Sequence, residues 1–154
     1  ITPAAVPISY PSVLGHSPPQ LMAYNRETAV AEKFEAMVKH GELNSRMRDF
    51  FDVWVLARNF DFDGRLLADA IRATFERRQT AIEIEPICFS ERFVTTPAKV
   101  AQWKGFIKNS RVTPAPTGFA EVVGAVQQFV QPVAEALATD RQFDRQWPAG
   151  GNWQ

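Results

Sequence analysis

A chain of 154 residues has room for one domain with a sizeable core. Lysine plus arginine and aspartate plus glutamate each number 17, so the formal net charge is +0, which excludes bulk attraction to nucleic acid as the main mode of action but allows a local basic patch. A single cysteine excludes an internal disulfide, and no apolar run approaches the roughly twenty residues of a membrane span.

Residues 1–24 hold Pro3, Pro7, Pro11, Pro18 and Pro19, which rules out a helix there. Ala5 to Tyr10 alternates weakly and reads as an edge strand, and Leu21 to Tyr24 as a second short one. Asn25 is an N-cap with Glu27 in the first turn of the helix it opens, where the dipole favours an acid. Val30, Phe34, Met37 and Val38 form its apolar stripe, and Gly41 closes it. The next helix begins near Asn44 or Ser45 and runs to about Arg58. Met47, Phe50, Phe51, Trp54, Val55 and Ala57 cover most of its circumference, so it is expected at the centre with Trp54 buried.

Asp63 caps a third helix that carries Leu66, Leu67, Ala70, Ile71 and Phe75 on one side and Arg72, Arg77 and Arg78 toward its outer face and end. Ala81 to Phe89 is a connector with some strand character. Thr96-Pro97 is an N-cap followed by proline at the first helical position. Val100, Trp103, Phe106 and Ile107 are the stripe of the helix that follows. Thr113 to Gly118 is a hinge. The last helix presents Phe119, Val122, Val123, Val126, Phe129 and Val130, then Val133 and Leu137, and Pro132 should kink it or restart a turn. From Asp140 the chain is polar and irregular, with Phe143, Trp147 and Trp153 tethering the tail. The expectation is a mainly α fold: a bundle of about five helices after a short extended or β lead-in. It divides into a lead-in at 1–24, a helical domain at 25–139 and a tail at 140–154.

Few residues carry chemistry. Cys88, between Ile87 and Phe89, reads as a small buried hydrophobe. His16 and His40 with one cysteine do not make a closed zinc site. Lys33 sits at the margin of the first helix's stripe, either covering apolar surface with its stem or holding an ammonium at a cleft for phosphate oxygens. Asp49 and Asp52 lie on adjacent turns of one face, with Arg48 spaced to pair with Asp52 and Arg46 near Asp49. They form a salt-bridged face, or one aspartate orients a cation that touches a nucleotide. Asp61-Phe62-Asp63 has Asp-x-Asp spacing, but Asp63 is better explained as a cap. No glycine-rich phosphate loop, G-x-S-x-G, H-E-x-x-H or C-x-x-C is present.

The run Ala23-Tyr24-Asn25-Arg26-Glu27-Thr28-Ala29-Val30-Ala31-Glu32-Lys33-Phe34, then Asn44-Ser45-Arg46-Met47-Arg48-Asp49-Phe50-Phe51-Asp52-Val53-Trp54, resembles the AbiEii/AbiGii toxin family of bacterial nucleotidyltransferases. Pro132 to Leu137 and the tail from Phe143 through Trp147-Pro148, Gly150-Gly151 and Trp153 resemble the ends of many members. The resemblance implies catalytic roles for Lys33, Asp49 and Asp52, and nucleotide or phosphate binding by Lys33, Arg46 and Arg48, with no protein metal ligand assigned. Full members begin with a catalytic half that carries a glycine-rich motif and a metal-binding Asp-x-Asp. Neither occurs here, so the chain looks like the mostly helical C-terminal part.

The function expected is thus that of a helical portion of a nucleotidyltransferase-like toxin, inactive alone. The parent reaction would transfer a nucleoside monophosphate from a nucleoside triphosphate, with transfer RNA as an acceptor. Mg²⁺ and the triphosphate are cofactors only where the catalytic half is present. The alternative is a non-catalytic helical module that binds an antitoxin or self-associates, using tail Phe and Trp side chains as an interface core. No membrane partner and a cytoplasmic location are expected.

Overall fold

In a computed structural model the described residues are 25–41, 46–110 and 118–154. The expected lead-in at 1–24, the start of the second helix at Asn44 or Ser45, His16 and most of the Thr113–Gly118 hinge lie outside them. Six α-helices account for most of the rest: α1 (Arg26–His40), α2 (Met47–Asn59), α3 (Gly64–Arg77), α4 (Glu91–Thr95), α5 (Pro97–Ser110) and α6 (Phe119–Ala138). The fold is mainly α, as the stripes predict, with the short α4 added to the five helices expected. Residues Ile87–Phe89 form a 3₁₀ turn rather than a strand. Two-residue strands β1 (Phe62–Asp63) and β2 (Gln146–Trp147) pair antiparallel, Phe62 opposite Trp147. No helix among the described residues is long and apolar enough to cross a membrane.

The caps explain where helices begin. The Asn25 side chain accepts from the Thr28 amide at 2.9 Å, the Asp63 side chain from Arg65 at 2.9 Å and Ser90 from Phe93 at 3.2 Å. Gly41, at φ 52°, turns the chain out of α1 while its amide bonds to the Met37 carbonyl, a conformation glycine takes without steric cost. Pro132 lies within an unbroken α6.

α1 packs on α3 and α2, and α2 packs on α1, α5 and α6. α2 is therefore central, as its apolar wrap predicts, but its aromatic residues divide differently. Phe50 is fully buried, with Phe119 edge-on at 5.4 Å and Phe93 at 6.2 Å. Trp54, expected in the core, is only partly buried. Its ring lies 6.0 Å from Phe51, and the Arg58 guanidinium covers it at 4.9 Å. Leu66 is also corrected: it is 41 % exposed, while Leu67, Ala70, Ile71 and Phe75 are buried. An apolar stripe gives a direction, and only the neighbouring helices decide how wide a sector is covered.

The tail is built into the body. Trp147 donates its indole N–H to the Ala57 carbonyl and Trp153 donates to the Phe129 carbonyl, each at 2.8 Å. Trp153 stacks on Phe129 at 5.7 Å and Trp147 lies tilted against it at 4.8 Å, and Phe129 also meets Phe62 at 4.9 Å. Phe143 stands edge-on to Trp153 at 4.8 Å. Phe143 and Trp147 are thus spent on the core, so they do not supply the exposed interface that the interaction-module reading drew from the tail.

Candidate functional site

Lys33, at the middle of α1, meets Asp49 and Asp52 in the first half of α2, the pairing an antiparallel helical hairpin gives. The ammonium is 3.1 Å from Asp52 Oδ2 and 3.7 Å from Asp49 Oδ1. Arg46 Nε lies 3.1 Å from Asp49 Oδ2 and Arg48 Nε 3.6 Å from Asp52 Oδ2. All five residues singled out in the sequence therefore converge. Both aspartate side chains are nearly enclosed, at 5 % and 3 % exposure, whereas Lys33 is 25 % exposed and the two arginines more than half.

This burial sets the electrostatics. Desolvation pushes the carboxyls of Asp49 and Asp52 above their ordinary range, against the pull of Lys33 on both, of Arg46 on Asp49 and of Arg48 on Asp52. Asp52 Oδ1 is buried with no hydrogen-bond partner among the described residues. A buried carboxylate is ordinarily satisfied by hydrogen bonds. Glu35, on another face of α1, is such a case. Burial pushes it up, but Thr80 Oγ1 at 2.6 Å and Arg78 at 2.9 Å outweigh that and hold it below its ordinary value.

The charged cluster lines one side of an open groove of about 800 Å³, a volume in the usual range of ligand pockets. Met47 contributes apolar surface beside it, and the opposite wall comes from α5 through Gln102, Gly105, Phe106 and Asn109. The sequence reading missed this wall: it counted Phe106 only as core stripe. The available signal was Gly105, a glycine in a helix interior, where it costs about 1 kcal/mol against alanine.

The donor set does not fit Mg²⁺, the ion the resemblance implies for full members. Lys33 Nζ already stands between the two carboxylates, where a cation bridging them would sit. Among the described residues no three or more His, Cys, Asp or Glu side chains gather to hold a metal. The other sequence candidates are structural. Asp61 Oδ1 accepts from the Ala149 amide at 2.8 Å, Asp63 caps α3, and Cys88 is enclosed with its thiol pushed up to about 12 by burial. His40 is exposed at the end of α1.

A family model described as Nucleotidyl transferase AbiEii toxin, Type IV TA system, matches residues 1–138. The match takes in α1 to α6 and the whole charged cluster, and stops short of the tail. No curated protein and no solved structure matches the chain.

Proposed function

The chain belongs to the AbiEii nucleotidyl transferase toxin family, and from that premise we propose that its groove is the part of a nucleotidyltransferase that receives the triphosphate of a nucleotide. In this reading Lys33 meets phosphate oxygens as a point charge, and Arg46 and Arg48 swing from the rim to join it. Asp49 and Asp52 are positioning residues: they hold the ammonium at the groove through two buried carboxylates. Three cations against two carboxylates leave the cluster one positive charge in excess, which favours an anion.

The observation that carries the reading is the burial of Asp49 and Asp52 beneath a partly exposed Lys33 that bridges them at the groove. Buried charges are retained at a cost, as groups at functional sites are. The full reaction, transfer of a nucleoside monophosphate to an acceptor such as transfer RNA, is assigned to the protein when a glycine-rich motif and an Asp-x-Asp strand complete the site.

Titrating the chain with inorganic tripolyphosphate by calorimetry tests the reading. Binding that weakens about tenfold or more in Lys33→Met is expected, the scale of one lost charge-assisted hydrogen bond. Equal binding by the variant and the native chain would rule the assignment out.

A further inference from the structure

We propose that the α5 wall of the groove, Gln102, Gly105, Phe106 and Asn109, is a nucleobase site that takes the base of the nucleoside triphosphate whose phosphates lie at Lys33. The proposal deepens the reading above and rests on it. Its first support is the division of charge across the groove: the α1 and α2 side carries all five charged residues, and the α5 wall carries none. A nucleotide has the same division, with anionic phosphates at one end and an uncharged aromatic base at the other.

The second support is Gly105. A Cβ built there meets nothing within 4 Å, so no packing partner requires a glycine at this position. The space where its side chain would stand is open, and the next residue, Phe106, lines the same groove. The Phe106 ring packs against Phe51 at 5.7 Å and Trp103 at 5.6 Å, and it borders the groove. A packed aromatic surface beside a missing side chain suits a planar base, since every base has a π-face to lay against it.

Gln102 and Asn109 stand two helical turns apart on the same face, roughly 10 Å along the axis, bracketing the opening. Each carboxamide offers both a donor and an acceptor, the groups that read the edge of a base. The wall thus supplies a surface for the ring and two polar ends for its edges.

The test compares each of the four common nucleoside triphosphates with inorganic tripolyphosphate, by calorimetry on the 154-residue chain. The native chain should bind at least one nucleotide about tenfold more tightly than tripolyphosphate, the factor expected from one base stacked on one aromatic ring. Gly105→Leu, which fills open space, should bring that nucleotide down to the tripolyphosphate level while leaving tripolyphosphate affinity unchanged. Gln102→Ala with Asn109→Ala, both at exposed positions, should flatten the differences among the four bases. Nucleotide and tripolyphosphate binding equally, or Gly105→Leu keeping the nucleotide advantage, overturns the base site while the phosphate reading stands. Tripolyphosphate binding indifferent to Lys33→Met overturns the phosphate reading, and the base site with it.

Discussion

Asp52 and Glu35 are both enclosed carboxylates, yet they respond to pH with opposite sign. Asp49 and Asp52 have folded-state values raised above those of the unfolded chain, so between the two values the folded state binds more protons. Stability therefore falls as pH rises through that window, and the burial cost is fully present above it. Glu35 is held below its unfolded value. Its stabilisation is present above the unfolded value and is lost as pH falls through the folded one. Urea unfolding across the carboxylate range should separate the two. The stability of Asp52→Asn relative to the native chain should rise with pH, because the variant has no charge to bury there. That of Glu35→Gln should fall with pH, to a deficit of about 1–3 kcal/mol near neutrality as the bonds to Arg78 and Thr80 lose their charge assistance. The same sign in both variants would contradict the assignment of one as strained and the other as structural.

Helices differ in how much of their surroundings their own sequences specify. The stripes of α1 and α6 give the buried faces directly: Val30, Phe34 and Met37, and Val122, Val126, Phe129 and Val133, are all in the core. For α2 the wrap of apolar residues tells that it is central but not which residue is left at the margin, because that depends on where α5 and α6 end. Phe50→Ala should cost about 3–5 kcal/mol, as for other fully buried rings, and Trp54→Ala measurably less, because Trp54 keeps one face toward Arg58 and solvent. Denaturant unfolding of the pair checks the order. On α5, Gly105→Ala should raise stability by up to about 1 kcal/mol, since the methyl group enters open space and the helix loses its most flexible residue. A loss of stability would mean that Gly105 is packed after all. The meeting of Lys33 with Asp49 and Asp52 was legible because a short link between two stripes makes a hairpin. The α5 wall was not, because which helix closes a groove depends on tertiary packing and not on any local pattern.

At the scale of the molecule, the tail joins the end of the chain to its middle. The Gly64 amide bonds to the Arg145 carbonyl at 2.8 Å, and a Cβ on Gly64 would stand 2.5 Å from that oxygen and 2.6 Å from the Phe143 ring. Gly64→Ala should cost about 1–3 kcal/mol, an overpacking penalty against backbone that cannot swing aside, read as a lowered melting temperature. The aromatic residues of the tail showed that it was anchored, but nothing local marked Gly64 as the place where it docks. The same architecture bears on activity. A groove that attracts and orients a triphosphate, as proposed, supplies ground-state binding, and uniform ground-state binding does not accelerate transfer. Phosphoryl chemistry also needs the developing charge on the triphosphate to be neutralised and an acceptor to be aligned. In this chain Asp49 and Asp52 are committed to Lys33, Asp61 to the Ala149 amide and Asp63 to the start of α3, so none of the four is placed for that work. The purified 154-residue chain, incubated with labelled nucleoside triphosphates, Mg²⁺ and total transfer RNA, should therefore leave the RNA unlabelled. Label that appears on RNA and disappears in Lys33→Ala or Asp49→Ala would show that the groove itself performs the transfer, and that carboxylates engaged with Lys33, the Ala149 amide or the start of α3 leave those partners when substrate binds.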